Sequence, residues 1–243
     1  PGMGDDGVSL GASLLANYSD GTSQEKIDFS NVYLGTSYNE NDIKKAYSNY
    51  EGVFTIKKVE GENDFDKIGY LLSKGQIVGL FQGKMEYGPR ALGNRTILAD
   101  PRDSSINDKL NNRLNRTEFM PFAPVVPTED ANKYFEIRPA VEYACRFMTI
   151  TVPVKSDEHN IIAGVTHVDG TGRLQSVSKT SNSLYYDLIN EFYKITQVPV
   201  IINTSMNVMG EPIVNTPEQA YQMIVKTDMD YLVMGNYLIS REK

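Results

Sequence analysis

Downstream of position 64 the apolar residues change their spacing several times, and each change marks an element. Phe65, Ile68, Leu71 and Leu72 recur at helical spacing, and Gly75 stands where a helix end favours a left-handed residue. Gln76–Phe81 is a short apolar run of the kind that fills a buried strand. Ile106–Arg116 predicts a helix carrying Lys109, Arg113 and Arg116, after which Pro121 and Pro124 force an extended exit. Arg146–Val152 reads as a strand, with Cys145 at its start. Leu184, Leu188, Phe192 and Ile195 share one helical face, and Pro199–Asn203 is a second buried run. Thr216-Pro217-Glu218-Gln219 predicts a helix start, with Thr216 as N-cap, Pro217 at N1 and Gln219 closing a capping box. Tyr231–Met234 reads as a short final strand.

Upstream the pattern thins. Residues 24–63 are polar and read as a connecting segment with a strand at Asn31–Leu34 and a helix near 40–50. Residues 1–23 open with a Gly/Asp turn, and Val8–Ala16 reads as a short helix packed closely through Gly11 and Ala12. Helices and strands alternate, so the expected fold class is α/β or mixed α+β.

The bulk numbers narrow the function classes. A chain of 243 residues, 40% hydrophobic and 23% charged, is globular and fits one large domain or one domain plus part of another. A net charge of −7 argues against nucleic acid as a partner, because phosphate neutralisation needs a basic surface. A local arginine cluster still suits a small anion. The single cysteine, Cys145, excludes an internal disulfide and is expected to pack in the core. No run of 18 apolar residues occurs and no secretory signal is visible, so a cytoplasmic protein without a membrane partner is expected. The chain opens on Pro1 rather than Met, which we read as a fragment of a longer protein.

Four segments carry the candidate chemistry. Gly83–Leu98 follows the first buried strand and holds Lys84, Glu86, Arg90 and Arg95 among glycines. Glycine lets backbone approach a ligand, and the planar arginine fork matches phosphate oxygens. Asn203–Pro212 follows the second buried strand and offers Asn203, Ser205 and Asn207 at a place where α/β sheets bind ligands. The alternative there is a turn satisfying its own backbone. His167–Gln175 puts Arg173 after a Gly-Thr-Gly turn. His167 and His159 lack metal-ligand spacing, and a structural hydrogen bond is the plainer role for His167. The 106–124 segment adds Arg116, alternatively part of a solvated helix face. P-loop, GxGxxG, CxxC and HExxH signatures are absent.

Taken in order, Gly83–Arg102, Pro121-Phe-Ala-Pro124, Asp169–Gln175 and Asn203–Pro212 with Thr216-Pro217 resemble the C-terminal region of the NodU/CmcH/TobZ-type O-carbamoyltransferases. The resemblance covers residues 64–241. Pro1–Ala12, with Gly4-Asp5-Asp6-Gly7, resembles the end of that family's Kae1-like domain, which has an actin/Hsp70-type fold. It implies a division into 1–23, the tail of the Kae1-like domain; 24–63, a connection; 64–217, a YrdC-like twisted sheet with flanking helices; and 218–243, a helix and strand returning to the Kae1-like domain.

The resemblance also implies a reaction. The YrdC-like domain makes carbamoyl adenylate from carbamoyl phosphate and ATP, with Mg2+, and releases pyrophosphate. The missing N-terminal Kae1-like domain, carrying Fe2+ or another divalent metal, transfers the carbamoyl group to a hydroxyl of a sugar or other small-molecule acceptor. Arg90, Arg173 and Ser205 take catalytic places in this scheme. Lys84, Glu86, Arg95, Arg116, His167, Asn203 and Asn207 line the substrate and nucleotide site. Asp5 matches a metal ligand whose histidine partners lie outside the chain. The family's Lys two residues before Arg116 is Leu114 here, its Phe-Arg-Pro arginine is Met120, and Thr196-Gln197-Val198 replaces its Thr-Gly. Lys109 or Arg113 are the replacements to consider for the lost cation. The rival readings are a catalytically silent nucleotide-binding or interdomain module and an RNA-binding YrdC-type module.

Overall fold

The computed structural model describes residues 1–19, 21, 28–50, 52–59, 63–116 and 120–241. In chain order the elements are α1 (Val8–Ser19), α2 (Glu40–Tyr47), β1 (Phe54–Lys58), α3 (Asn63–Ser73), β2 (Val78–Phe81), β3 (Arg95–Ala99), α4 (Ile106–Arg113), β4 (Ala123–Pro127), α5 (Ala131–Tyr134) and α6 (Glu142–Cys145). They continue with β5 (Val152–Pro153), β6 (Thr171–Gly172), β7 (Gln175–Val177), α7 (Ser183–Thr196), β8 (Ile201–Ser205), α8 (Pro217–Thr227), β9 (Tyr231–Met234) and β10 (Tyr237–Arg241).

Eight strands form one mixed sheet in the order β1-β10-β9-β2-β3-β8-β4-β7, and β5 and β6 form a small separate hairpin ladder. The central strands are buried on both faces, which is why they read as continuous apolar runs. Side chains alternate between faces. Val78, Leu80, Leu98, Val125 and Ile201 pack with α3 and α7, whereas Phe81, Ile97, Val126 and Ile202 pack with α2, α4 and α8. Gly69 lets α3 and α7 meet backbone to backbone, since a Cβ there would lie 2.8 Å from the Phe192 nitrogen. The predicted α/β class and sheet with flanking helices therefore hold.

The predicted helices at 65–72, 184–195 and 217 onward form, and the Thr216 capping box closes as expected. The helix expected over 106–116 ends at Arg113, and Asn115 at φ +53 turns the chain so that Arg116 lies outside it. The Phe65 side chain lies outside the described residues. Four local expectations fail. Arg146–Val152 is mostly non-regular, and Cys145 ends α6 instead of starting a strand. Asn31–Leu34 is not a strand, although the Val32 and Thr36 carbonyls accept from the Tyr87 and Met85 nitrogens and Gly35 donates to the Met85 carbonyl. Tyr231–Met234 is not the last strand, because the Gly235-Asn236 turn returns the chain as β10. Finally, α1 buries none of its residues, and Gly11 meets no neighbour within 4 Å, so the close packing is not realised among the described residues.

Candidate functional site

The strand directions explain why the predicted segments meet. The C-terminal ends of β2, β8 and β9 and the N-terminal ends of β3, β4 and β7 lie at the same edge, as the pairs Phe81↔Arg95, Phe81↔Met234, Thr96↔Ser205, Ala123↔Asn203 and Val125↔Gln175 show. The 82–94 loop, Arg116 before β4, Arg173 before β7 and the 205–216 loop after β8 all arise at that edge. Residues distant in sequence are thus gathered by topology.

Three guanidinium groups stand at its centre. Arg173 is pushed down to about 10, first by burial and then by the positive charges of Arg90 and Arg116. Its Nε is buried with no hydrogen-bond partner. Burial also lowers Arg116, which donates to Thr204 Oγ1 at 3.2 Å and lies over the Phe122 ring at 5.1 Å. Arg90 is exposed, and with Arg173 it borders a cavity of about 540 Å3. Pro89, Met148 and Ile150 give that cavity an apolar side, and Thr149 and Thr151 add hydroxyl-bearing residues. Like charges held together and left partly unpaired favour a multiply charged anion, whose oxygens relieve both burial and repulsion.

The other predicted residues fall into two groups. Lys84 is exposed, and Ser205 at the end of β8 and Asn207 in the loop after it are half-buried, with Ser205 donating to Asn207 Oδ1 at 2.6 Å. Asn207 in turn donates to the Glu211 carbonyl at 2.8 Å, so this loop is partly self-satisfied. His167 sits beside Arg173, with Nδ1 3.1 Å from Thr171 Oγ1, and burial holds it below the ordinary imidazole range.

Glu86, Arg95 and Asn203 are instead buried in the supporting structure. The Arg95 guanidinium is spent on the carbonyls of Gln82, Gly83, Asn94 and Thr36 and stacks 3.8 Å from the Phe81 ring. Asn203 donates to the Ala91 carbonyl at 2.9 Å and to Gln175 Oε1 at 2.6 Å, and it accepts from Thr96. It therefore ties together the stretches that carry Arg90 and Arg173.

Asp5 is exposed in the first turn, and the described residues contain no group of three or more His, Cys, Asp or Glu side chains placed to hold a metal. Arg113 does not replace the cation lost at Leu114, because it pairs with Asp230 at 3.1 Å. Leu114 is itself buried in the core.

The same region is matched by a known family. The carbamoyltransferase C-terminus profile covers residues 69–241, which include every element from β2 to β10. The chain belongs to this family. Among its relatives, Nodulation protein NolNO of Sinorhizobium fredii is 38% identical over 99% of the chain and 35% of its own length. The 3'-hydroxymethylcephem-O-carbamoyltransferase of Streptomyces clavuligerus is 30% identical over 97% of the chain and 42% of its own length. The chain thus spans less than half of these relatives. Among solved structures, full-length HypF in the phosphate- and nucleotide-bound form superposes with a TM-score of 0.53 at 20% identity, over 71% of the chain and 25% of HypF. That likeness concerns the fold, and it agrees with the expected YrdC-like sheet.

Sequence reasoning missed the cavity wall at Met148–Thr151. Its one local signal is conformational: Met148 has φ +54, a left-handed state uncommon for a non-glycine residue and invisible in composition. Thr204, the partner of Arg116, was passed over between its more obvious neighbours Asn203 and Ser205.

Proposed function

We propose that this chain forms carbamoyl adenylate from carbamoyl phosphate and ATP, as one half of an O-carbamoyltransferase. The observation that carries the proposal is the convergence of Arg90, Arg116 and Arg173 at one sheet edge, with the Arg173 Nε buried and unpartnered. The family membership supports carbamoyl transfer, and the name of the Streptomyces relative specifies an oxygen acceptor in that protein. The HypF structure of similar fold was obtained with phosphate and nucleotide bound.

Atom balance sets the order of events. Carbamoyl phosphate gives up inorganic phosphate to water, leaving carbamate. A carbamate oxygen then attacks the α-phosphorus of ATP, and pyrophosphate leaves. Each stage develops charge on phosphoryl oxygens, and fixed guanidinium groups in a partly dry cavity stabilise it without reorganising. Arg173 and Arg116 are the half-buried members of the trio, so their charges are less screened by water than that of Arg90. Ser205 and Lys84 border the same edge and would bind the outer phosphates or the carbamoyl end.

The arginine pocket fits polyphosphate, and Mg2+ would arrive on the phosphates, supplying further charge neutralisation. The divalent metal of the transfer reaction does not fit the described residues alone; Asp5 would supply one oxygen to a site built mainly outside this chain. Transfer to the acceptor hydroxyl belongs with that site.

The test is pyrophosphate release from ATP and magnesium, with and without carbamoyl phosphate. Release that requires carbamoyl phosphate and falls at least about a hundredfold in Arg173→Ala is expected, in line with loss of one electrostatic donor. Release independent of carbamoyl phosphate, or unchanged in the variant, would contradict the proposal.

A further inference from the structure

We infer that Glu86 is a positioning residue whose buried carboxylate holds the 82–94 loop in the form that presents Arg90 to the cavity. The inference rests on reading that cavity as a phosphate site. Glu86 Oε1 accepts from the backbone nitrogens of Leu92 at 2.7 Å, Asn94 at 2.7 Å and Arg95 at 3.2 Å. These amides form a small anion nest, occupied from within the chain by a side chain that is only 6% exposed. Glu86 Oε2 has no hydrogen-bond partner, and the positive charge close to the carboxylate is that of the fully buried Arg95, on which Glu86 acts electrostatically.

The nest closes the chain across Arg90, because Glu86 precedes that residue and the Leu92 amide it holds follows it. Asn203 adds a second anchor next to Arg90 by fixing the Ala91 carbonyl at 2.9 Å. Asn94 closes the base of the loop by donating to the Lys84 carbonyl at 2.7 Å, and Gln82 donates to the Gly93 carbonyl at 2.8 Å. The Arg90 side chain itself has no hydrogen-bond or ion-pair partner among the described residues. Its position is therefore set by the backbone under it.

Leu92, Asn94 and Arg95 are buried, so removing the carboxylate strands their amides away from water. The loop then has reason to open, and Arg90 moves with it. Gly93 adds a further constraint: at φ +115 its missing Cβ leaves room for the Tyr185 ring, which a methyl would meet at 2.3 Å. Glu86 does not line the cavity, so it acts on a ligand through Arg90 and not by contact.

A double-mutant cycle tests this, with ATP and magnesium as the titrant and calorimetry on the same chain. Glu86→Met keeps the length of the side chain and removes the acceptor oxygens. It is expected to weaken ATP about tenfold in the wild-type background and less than about twofold when Arg90 is already Ala, since misplacement of a group has no effect once the group is gone. Glu86→Asp, which keeps the charge one methylene shorter, runs the same cycle where the Met variant does not fold. A purely structural role would lower the unfolding temperature and leave the affinity of the folded protein alone, or give losses that add. Either result would overturn the positioning role while Arg90→Ala still weakened binding. Undiminished ATP affinity in Arg90→Ala would overturn both this inference and the phosphate reading on which it rests.

Discussion

Arg90 and Arg95 stand five residues apart on one loop and do opposite work. Arg95 turns inward, its charge dispersed over backbone carbonyls and lowered to about 10 chiefly by burial. Arg90 turns outward into the cavity beside Arg173. The Arg173 guanidinium carries its charge against burial and against two like charges, which is the condition in which an anion gains most by pairing with it. Arg173 keeps its proton at neutral pH, so the repulsion is relieved by a paired anion and not by proton loss. Cys145 has no part in such chemistry. Burial pushes its thiol up to about 11, so the nucleophilic thiolate is scarce at neutral pH.

At the scale of elements, β1 pairs with β10 at one border of the sheet, and α2 is fastened to β10. Glu40 accepts from Tyr237 at 2.6 Å and pairs with Lys44 at 2.9 Å, and these contacts hold its carboxyl down to about 2. A carboxyl lowered on folding contributes stability above its unfolded pKa of about 4.3 and loses it as the pH falls toward 2. Thermal midpoints of Glu40→Gln and wild type should accordingly differ at pH 6 and converge by about pH 2; a constant gap would show that the contact does not titrate as described.

The elements that sequence reading located are those whose signal is local. α8 declares itself in the Thr216 capping box, and α7 in a helical stripe buried against β2 and β4. What it could not reveal depends on partners far away in the chain. The 147–151 stretch looks like a strand because it alternates apolar and hydroxyl residues, yet no neighbour in the large sheet pairs with it, and it turns at Met148 to line the cavity. The roles of Glu86, Arg95 and Asn203 were equally hidden. Their residue types suit a binding site, and only their partners show that they build one.

For the whole molecule, a net charge of −7 and a cationic cavity are compatible because field strength in a cleft is set by the nearest charges and the low-polarity walls around them. The described residues include no helix long and apolar enough to cross a membrane. The arginines come from three separate connections, so the proposed anion site belongs to the folded sheet edge and not to any one segment. The affinity of ATP with magnesium for Arg116→Ala and Arg173→Ala, each against wild type at a fixed low salt concentration, tests this shared site. Each single change is expected to weaken binding by at least about tenfold, the loss of one charge-assisted hydrogen bond from a shared site, with unfolding temperatures close to wild type. Wild-type affinity in both variants would contradict it.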